Sequence, residues 1–334
     1  MRPRFTQRFA QARPLARVFA PPLLGFLLVV VLGKAIEWTG HIPARRGFGI
    51  EDVILQHQRA ASSEASNANL LFVGDSTCLM NLDLSAVPAA GSGIQPLNLG
   101  MLSMLPLPSF AELVAEFAQR NPGRPAYVVL LISPGMVEQE PVALSPASSS
   151  SAPPRTSFLE IAGLRRLRDL IQGSLPVALP GRYGRFYGFD LGLDQFMRQH
   201  QGSAIDPGEL SRTSKRPHPI EIKEAFREEC AAFRAKLPQH CRLLVGLAPV
   251  PREESGGDFP LHHKQLTSEL GTLLGTEQAL QLPASYPALL FASSTHLKAQ
   301  ARAAYTRQVW KAVLKAVRGS GSGTVPDVPG SEQK

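Results

Sequence analysis

The segment LLFVGDSTCLMNLD, residues 70–83, decides how this chain is expected to fold. Four apolar residues end at Val73. They are followed by Gly74, which permits a sharp turn, and by Asp75, which is suited to cap a helix. Ser76 then lies where a buried strand ends and a helix begins, so its hydroxyl can face solvent instead of the core. The segment predicts a strand–turn–helix unit whose serine is either a nucleophile or part of an ordinary capping turn.

Three further apolar runs resemble this first strand and alternate with amphipathic helices. They are IQPLNLG (94–100), AYVVLLIS (126–133) and RLLVGLAP (242–249). Continuous apolar runs without period-2 alternation are typical of strands that are buried on both faces. Amphipathic helices are predicted between the second and third strands and at 299–317. The pattern predicts an α/β fold in which helices cover both faces of a parallel sheet, giving three layers.

The N-terminal segment predicts that the main domain is exported. Residues 1–17 carry five arginines, and residues 18–36 form an apolar run of about the length that a bilayer requires. The arginines place the N-terminus in the cytoplasm and the rest of the chain in the periplasm or outside the cell. A cleaved signal peptide is the alternative interpretation, because Gly33-Lys34-Ala35 resembles a small-x-small cleavage site.

The distribution of charge and the positions of the histidines argue against nucleic acid and metal ions as ligands. The net charge is +8, and five of the positive charges lie in the N-terminal arm. A basic arm beside an apolar run indicates membrane topology rather than nucleic-acid binding. His262 and His263 have no Cys or carboxylate at ligand spacing, so the sequence predicts no metal. It also predicts no other cofactor.

The chain divides into five predicted segments. They are a basic cytoplasmic arm (1–17), a transmembrane anchor (18–36), a linker with one helix near 50–60 (37–68), a folded domain (69–318) and a polar tail (319–334). An insertion at 140–220 interrupts the domain and begins with the low-complexity stretch LSPASSSSAPP. The insertion contains GRYGRFYGF (181–189), which is either a rim that stacks on sugar rings or an irregular loop that covers the sheet.

The three cysteines are consistent with an oxidising compartment. Cys230 is expected on a helix and Cys241 at the start of the next strand, an arrangement that allows a disulfide. Spacing alone leaves this pairing open. Cys78 follows Ser76 by two residues and is expected to be a small buried hydrophobic side chain.

The ends of the predicted strands collect residues that are capable of acyl-transfer chemistry. Ligand sites of parallel sheets lie beyond the carboxyl ends of the strands, where Ser76, Gly100 and Ser133 are expected. His296, just before the final helix, lies on a loop that can return to the same edge, although a surface histidine is the alternative. A histidine that accepts the Ser76 proton, with the N–H groups of Ser76 and Gly100 on the oxyanion, would complete such a site.

These motifs resemble those of the SGNH (GDSL) hydrolase superfamily. The matching elements are Gly74-Asp75-Ser76, Asn98-x-Gly100 and Thr295-His296-Leu297, and the resemblance covers most of residues 69–318 outside the insertion. It implies a flavodoxin-like SGNH hydrolase fold, with Ser76 as nucleophile and His296 as base. It also implies that the backbone amides of Ser76 and Gly100 bind the oxyanion.

Two positions depart from the family pattern. Where the family presents an asparagine as another oxyanion donor, this chain has Ser133. The carboxylate three residues before the histidine, which orients the imidazole, is replaced by the uncharged Ser293. The resemblance therefore implies a Ser76–His296 dyad whose imidazole is oriented by a backbone carbonyl, with weakened hydrolysis.

An anchor, a linker and an exported domain in this order resemble SGNH proteins that acylate cell-surface polysaccharides. The expected function is that of a serine-dependent O-acyltransferase or esterase acting on such a polysaccharide. Transfer is favoured because a tethered enzyme whose triad lacks its carboxylate is ill suited to be a free esterase. A multi-span membrane acyltransferase is the expected protein partner. The alternative is a non-catalytic SGNH-like module that binds glycan or scaffolds that acyltransferase.

Overall fold

The computed structural model describes most of the domain. The described residues are 50–87, 93–102, 105–138, 186–187, 190–211, 220–276 and 278–319, with the single positions 25 and 213. The predicted arm, the predicted anchor (apart from position 25), most of the insertion and the tail beyond residue 319 lie outside them. In the described part of the chain, no helix combines the length and the apolar character that crossing a membrane requires.

Helices and strands alternate along most of the described chain, with two helices in succession before β4. The α-helices are Ile50–Ser63 (α1), Ser76–Asn81 (α2), Leu107–Arg120 (α3), Asp190–Gln199 (α4), Glu224–Lys236 (α5), Phe259–Leu273 (α6) and Ala299–Gly319 (α7). The strands are Leu70–Val73 (β1), Pro96–Asn98 (β2), Tyr127–Ile132 (β3), Arg242–Leu247 (β4), Val250–Pro251 (β5) and Ser285–Tyr286 (β6). The first four strands form one parallel sheet in the order β2-β1-β3-β4, and β5 pairs with β6. The predicted α/β fold with a parallel sheet is confirmed.

The four-stranded sheet is buried on both faces, which explains its continuous apolar runs. On one face Leu71 and Val128 belong to a core that includes residues of α1, α3, α5 and α6. On the other face Phe72 and Val129 pack in a second core with Tyr305 of α7. Successive residues of a strand point to opposite faces, so each strand must be apolar throughout. Polar side chains therefore gather where the strands end.

Helix α1 belongs to the folded domain, whereas the sequence analysis assigned residues 37–68 to a linker. Ile54 is buried in the core. The fully buried Gln58 donates from Nε2 to the carbonyls of Gly100 (2.8 Å) and Gly202 (3.2 Å). A glutamine at a core position looks like a solvent-facing residue in sequence, which is why the packed face of this helix was not predicted.

The expected disulfide between Cys230 and Cys241 is absent, because both cysteines are free and buried. Cys241 instead donates its thiol to the Pro125 carbonyl at 3.2 Å. Burial raises the pKa of both thiols to about 12. Cys78 is also free and buried, as expected for a small apolar side chain. Helix-to-strand spacing was compatible with a bond, but both cysteines are free side chains of the same apolar core.

Alkylation tests this assignment. The folded protein is expected to resist iodoacetamide at neutral pH, because buried thiols with raised pKa values hold almost no thiolate. When the protein is denatured without a reductant, all three cysteines are expected to react. Intact-mass spectrometry will give the number of adducts. If the denatured protein carried one adduct before reduction and three after it, a disulfide between two of the cysteines would be shown.

Substitution of Gly74 tests the turn after β1. Gly74 has φ +147°, and a Cβ at this position would lie 1.9 Å from the Leu131 carbonyl oxygen. We expect Gly74→Ala to lower the free energy of unfolding by at least about 3 kcal/mol, measured by urea denaturation. Gly256→Ala is the matched control, since a Cβ there meets nothing within 4 Å. Equal denaturation midpoints for the two variants would contradict this account of the turn.

Candidate active site

Ser76 lies at the edge of the sheet because Asp75 fixes the turn that precedes it. Oδ1 of Asp75 accepts hydrogen bonds from the Thr77 N–H (2.9 Å) and hydroxyl (2.6 Å). Oδ2 accepts from the Ser133 N–H at 2.8 Å, which ties the end of β1 to the end of β3. Asp75 is fully buried and has three donors, so its role is structural. It caps α2 and leaves Ser76 half-buried at the first position of that helix.

The structure brings together Ser76 and His296, the pair that the sequence analysis singled out. Oγ of Ser76 lies 2.8 Å from Nε2 of His296, although 220 residues separate them. The imidazole is mostly buried, with 13% of the side chain exposed. A serine hydroxyl within hydrogen-bond distance of an imidazole nitrogen is the geometry that general-base activation of a nucleophile requires.

The third member of the site is Asp206, which the sequence analysis did not identify. Its Oδ2 lies 2.8 Å from Nδ1 of His296, and its carboxylate is fully buried. A carboxylate on Nδ1 favours the tautomer that carries a proton there, which leaves Nε2 to accept the proton of Ser76. Ser76, His296 and Asp206 therefore form one continuous chain of hydrogen bonds.

The structure assigns Ser293 a different role from the one its position implied. Its Oγ accepts a hydrogen bond from the His296 N–H at 3.1 Å, so it holds the backbone of that residue. The carboxylate on the imidazole comes from Asp206, 90 residues earlier in the chain. No fixed spacing links the two positions in sequence. The available signal was Asp206-Pro-Gly, which by itself marks an ordinary turn.

The segment that carries Asp206 is docked against the sheet. The Asn98 backbone N–H donates to the carbonyl of Gln201 at 2.9 Å, and the Asn98 side-chain amide donates to Oγ of Ser203 at 3.1 Å. The Ala204 N–H donates to a carbonyl of α2 at 3.0 Å. This stretch lies in the predicted insertion, which therefore supplies part of the site.

Tyr187 holds the residue next to Asp206. Its hydroxyl donates to the carbonyl of Ile205 at 2.8 Å and accepts from the N–H of the same residue. Its ring packs edge-on against Phe196 of α4, with 5.2 Å between ring centroids. Tyr187 belongs to GRYGRFYGF, so at least this aromatic residue of the segment helps to hold the backbone beside Asp206.

Two of the three expected oxyanion donors are already engaged. The Gly100 N–H donates to Oδ1 of Asn98 at 2.8 Å, and the Ser133 N–H donates to Asp75 at 2.8 Å. A Cβ at Gly100 would lie 2.5 Å from a backbone nitrogen of α2, so this glycine allows close packing. The Gly100 N–H is therefore not free to bind an oxyanion as predicted. Ser133 lies where the family presents an asparagine side chain, and a role for its hydroxyl stays a prediction. The Ser76 N–H has no acceptor within the described ranges and remains the candidate donor.

The adjacent histidines lie on α6 and take no part in this constellation. His262 Nε2 lies 2.7 Å from the carbonyl of Ile220. His263 is buried, and desolvation lowers its pKa, so it behaves as a neutral core residue. Across the described residues, no cluster of three or more His, Cys, Asp or Glu side chains is arranged to hold a metal ion.

Comparison of the chain with protein-family models, with curated proteins and with solved structures finds no match in any of the three. The geometry of the site is therefore the basis for the chemistry proposed below.

Replacement of Asn98 tests whether it organises the site. Asn98 is fully buried and serves Cys78, Ser203 and Gly100 at once. We expect Asn98→Ala to lower the free energy of unfolding by at least about 2 kcal/mol, because it leaves buried polar groups unpaired. Asn69→Ala is the control, since Asn69 is half-buried and makes two similar contacts that are exposed to solvent. Similar losses in chemical denaturation of both variants would argue against this role.

Proposed function

We propose that this protein is a serine-dependent acyl-transfer enzyme of the SGNH hydrolase type. The observation that carries the proposal is the relay of two 2.8 Å hydrogen bonds from Ser76 through His296 to Asp206. A nucleophile, a base and a buried carboxylate in this order match the arrangement that activates serine in unrelated hydrolases. The resemblance of the strand-end motifs to the SGNH superfamily supports the same assignment.

The first half of the reaction forms an acyl-enzyme. Oγ of Ser76 attacks the acyl carbon of an ester while Nε2 of His296 takes the hydroxyl proton. Asp206 stays ionised and stabilises the imidazolium. The Ser76 N–H donates to the oxyanion of the tetrahedral intermediate. When that intermediate collapses, the ester C–O bond breaks and His296 returns the proton to the leaving alcohol.

The second half of the reaction transfers the acyl group from Ser76 to an acceptor hydroxyl. His296 removes the acceptor proton, the new C–O bond forms, and the proton returns to Oγ as the acyl-serine bond breaks. Water as acceptor gives an esterase, and a sugar hydroxyl gives an O-acyltransferase. The case for transfer from a missing carboxylate no longer holds, because Asp206 supplies one.

The proposed place of action is the cell surface. It rests on the arginines and the apolar run of residues 1–36, which predict a single-pass anchor with the domain in the periplasm or outside the cell. An acylated cell-surface polysaccharide is the proposed substrate, and a multi-span membrane acyltransferase is the proposed protein partner.

One observation favours a second candidate function. Of the two backbone N–H groups expected to bind an oxyanion, that of Gly100 is already bonded to Asn98. Oxyanion donors contribute about 3–4 kcal/mol each where they have been removed from serine hydrolases. A non-catalytic SGNH-like module that binds glycan or scaffolds an acyltransferase is therefore the alternative.

Labelling by a serine-reactive fluorophosphonate separates the two candidates. We expect the parent protein to be labelled and Ser76→Ala to remain unlabelled. Asp206→Asn is expected to slow labelling by on the order of 10⁴, because the imidazole loses its favoured tautomer. Ser293→Ala is expected to slow it by less than about tenfold, since Ser293 contributes one hydrogen bond to backbone.

Asp194→Asn is the matched control for Asp206→Asn. Asp194 accepts from Nδ1 of His57 at 2.8 Å, the same kind of pair without a serine. Its substitution is expected to leave the labelling rate within about twofold of the parent. A folded parent protein that no fluorophosphonate labels would support the scaffold instead.

A further inference from the structure

We propose that Asn81 is a positioning residue that fixes the base His296 relative to the nucleophile Ser76. The proposal rests on the proposed function, because it concerns how the same pair is held. Asn81 is the last residue of α2, and Ser76 is the first.

The contacts of Asn81 bracket His296. Its Nδ2 donates to the carbonyl of Thr295 at 3.0 Å, and its Oδ1 accepts from the N–H of Leu297 at 2.7 Å. The Asn81 side chain thus binds the peptide groups on both sides of the base, as a neighbouring strand would. Asn81 is fully buried, so water does not compete for these bonds.

The remaining backbone contacts of His296 come from its own loop. Its N–H donates to Oγ of Ser293 at 3.1 Å, and its carbonyl accepts from the N–H of Ala292 at 2.7 Å. Contacts within a loop fix the shape of that loop. A contact to another element is needed to fix its place, and Asn81 provides one to the helix that carries Ser76.

Helix α2 is itself anchored at the end where Asn81 lies. The guanidinium of Arg302, on α7, is buried and donates from Nη2 to the carbonyl of Leu82. A short helix held at its carboxyl end by α7 and at its amino end by the Asp75 cap has little freedom to shift. Helix α2 therefore carries Ser76 and, through Asn81, holds the backbone on both sides of His296. This shared support sets the distance between Oγ of Ser76 and Nε2 of His296.

The test compares Asn81→Ala with Asn121→Ala. Asn121 makes the same type of clamp at the opposite end of the sheet, because its Oδ1 accepts from the Ser66 N–H (2.7 Å) and its Nδ2 donates to the Glu64 carbonyl (3.1 Å). Both substitutions remove buried hydrogen bonds to backbone, and Asn121→Ala leaves the candidate site untouched. The two variants are compared at a temperature at which circular dichroism shows both to be folded.

The first readout is the rate of fluorophosphonate labelling at Ser76. We expect Asn81→Ala to be labelled between about ten- and one-hundredfold more slowly than the parent, because a small displacement of a base is costly. Asn121→Ala is expected to stay within about twofold of the parent.

The second readout reports on the base without any reaction. The proton between His296 Nδ1 and Asp206 is expected to give a low-field proton NMR signal, identified by its absence from His296→Gln. We expect Asn81→Ala to broaden or shift that signal and Asn121→Ala to preserve it. The corresponding proton between His57 and Asp194 serves as an internal reference in every sample.

The two readouts distinguish failure of this proposal from failure of the proposed function. If the parent is labelled but Asn81→Ala leaves either the labelling rate or the NMR signal unchanged, the positioning role is overturned. If the parent is not labelled, the function fails and the NMR signal alone decides about Asn81.

A second pair of variants covers the case in which Asn81→Ala does not fold. Asn81→Asp keeps the side-chain shape and the acceptor for the Leu297 N–H but loses the donor to the Thr295 carbonyl. It is judged against Asn121→Asp by the same two readouts and the same criteria.

Discussion

Buried peptide groups without a strand partner determine how the carboxyl edge of the sheet is built. Where the strands end, backbone N–H and C=O groups leave the ladder while still inside the protein, and each one left unpaired costs about 1–3 kcal/mol. Short polar side chains satisfy them: Asp75 accepts from Ser133, and Asn98 accepts from Gly100. Asn81 does the same for the loop of the base. These contacts also position every segment that carries a candidate catalytic group.

Three segments far apart in the chain meet at this edge. Ser76 comes from the first strand–helix turn, Asp206 from the segment that follows α4, and His296 from the loop before α7. Closing loops of this length costs entropy that grows only slowly with length, and the two apolar cores that cover the sheet offset it. The three side chains are thus held in place by the fold itself, as the preorganised site of the proposed enzyme requires.

The described residues contain the complete hydrogen-bonded relay for activating Ser76 but few free donors for an oxyanion. The carboxylate of Asp206 is fully buried and accepts from the Gly208 N–H at 2.8 Å in addition to His296, so the charge that would polarise the imidazole is both shielded and satisfied. Of the two N–H groups expected to bind an oxyanion, that of Gly100 is bonded to Asn98, and that of Ser76 is the free candidate within the described part of the chain. In the proposed mechanism, the proton relay is therefore the more fully formed part of the site.

The sequence by itself determined the features whose physics is local. Continuous apolar strands, the turn that Gly74 and Asp75 form, and a histidine before a final helix all follow from periodicity and turn chemistry within a few residues. Tertiary structure alone decided that Asp206, and not Ser293, meets the imidazole, and that Cys230 and Cys241 stay apart. A hydrogen bond depends on where two atoms lie in space. When the partners come from segments separated by tens of residues, packing chooses them, and no short stretch of sequence contains that choice.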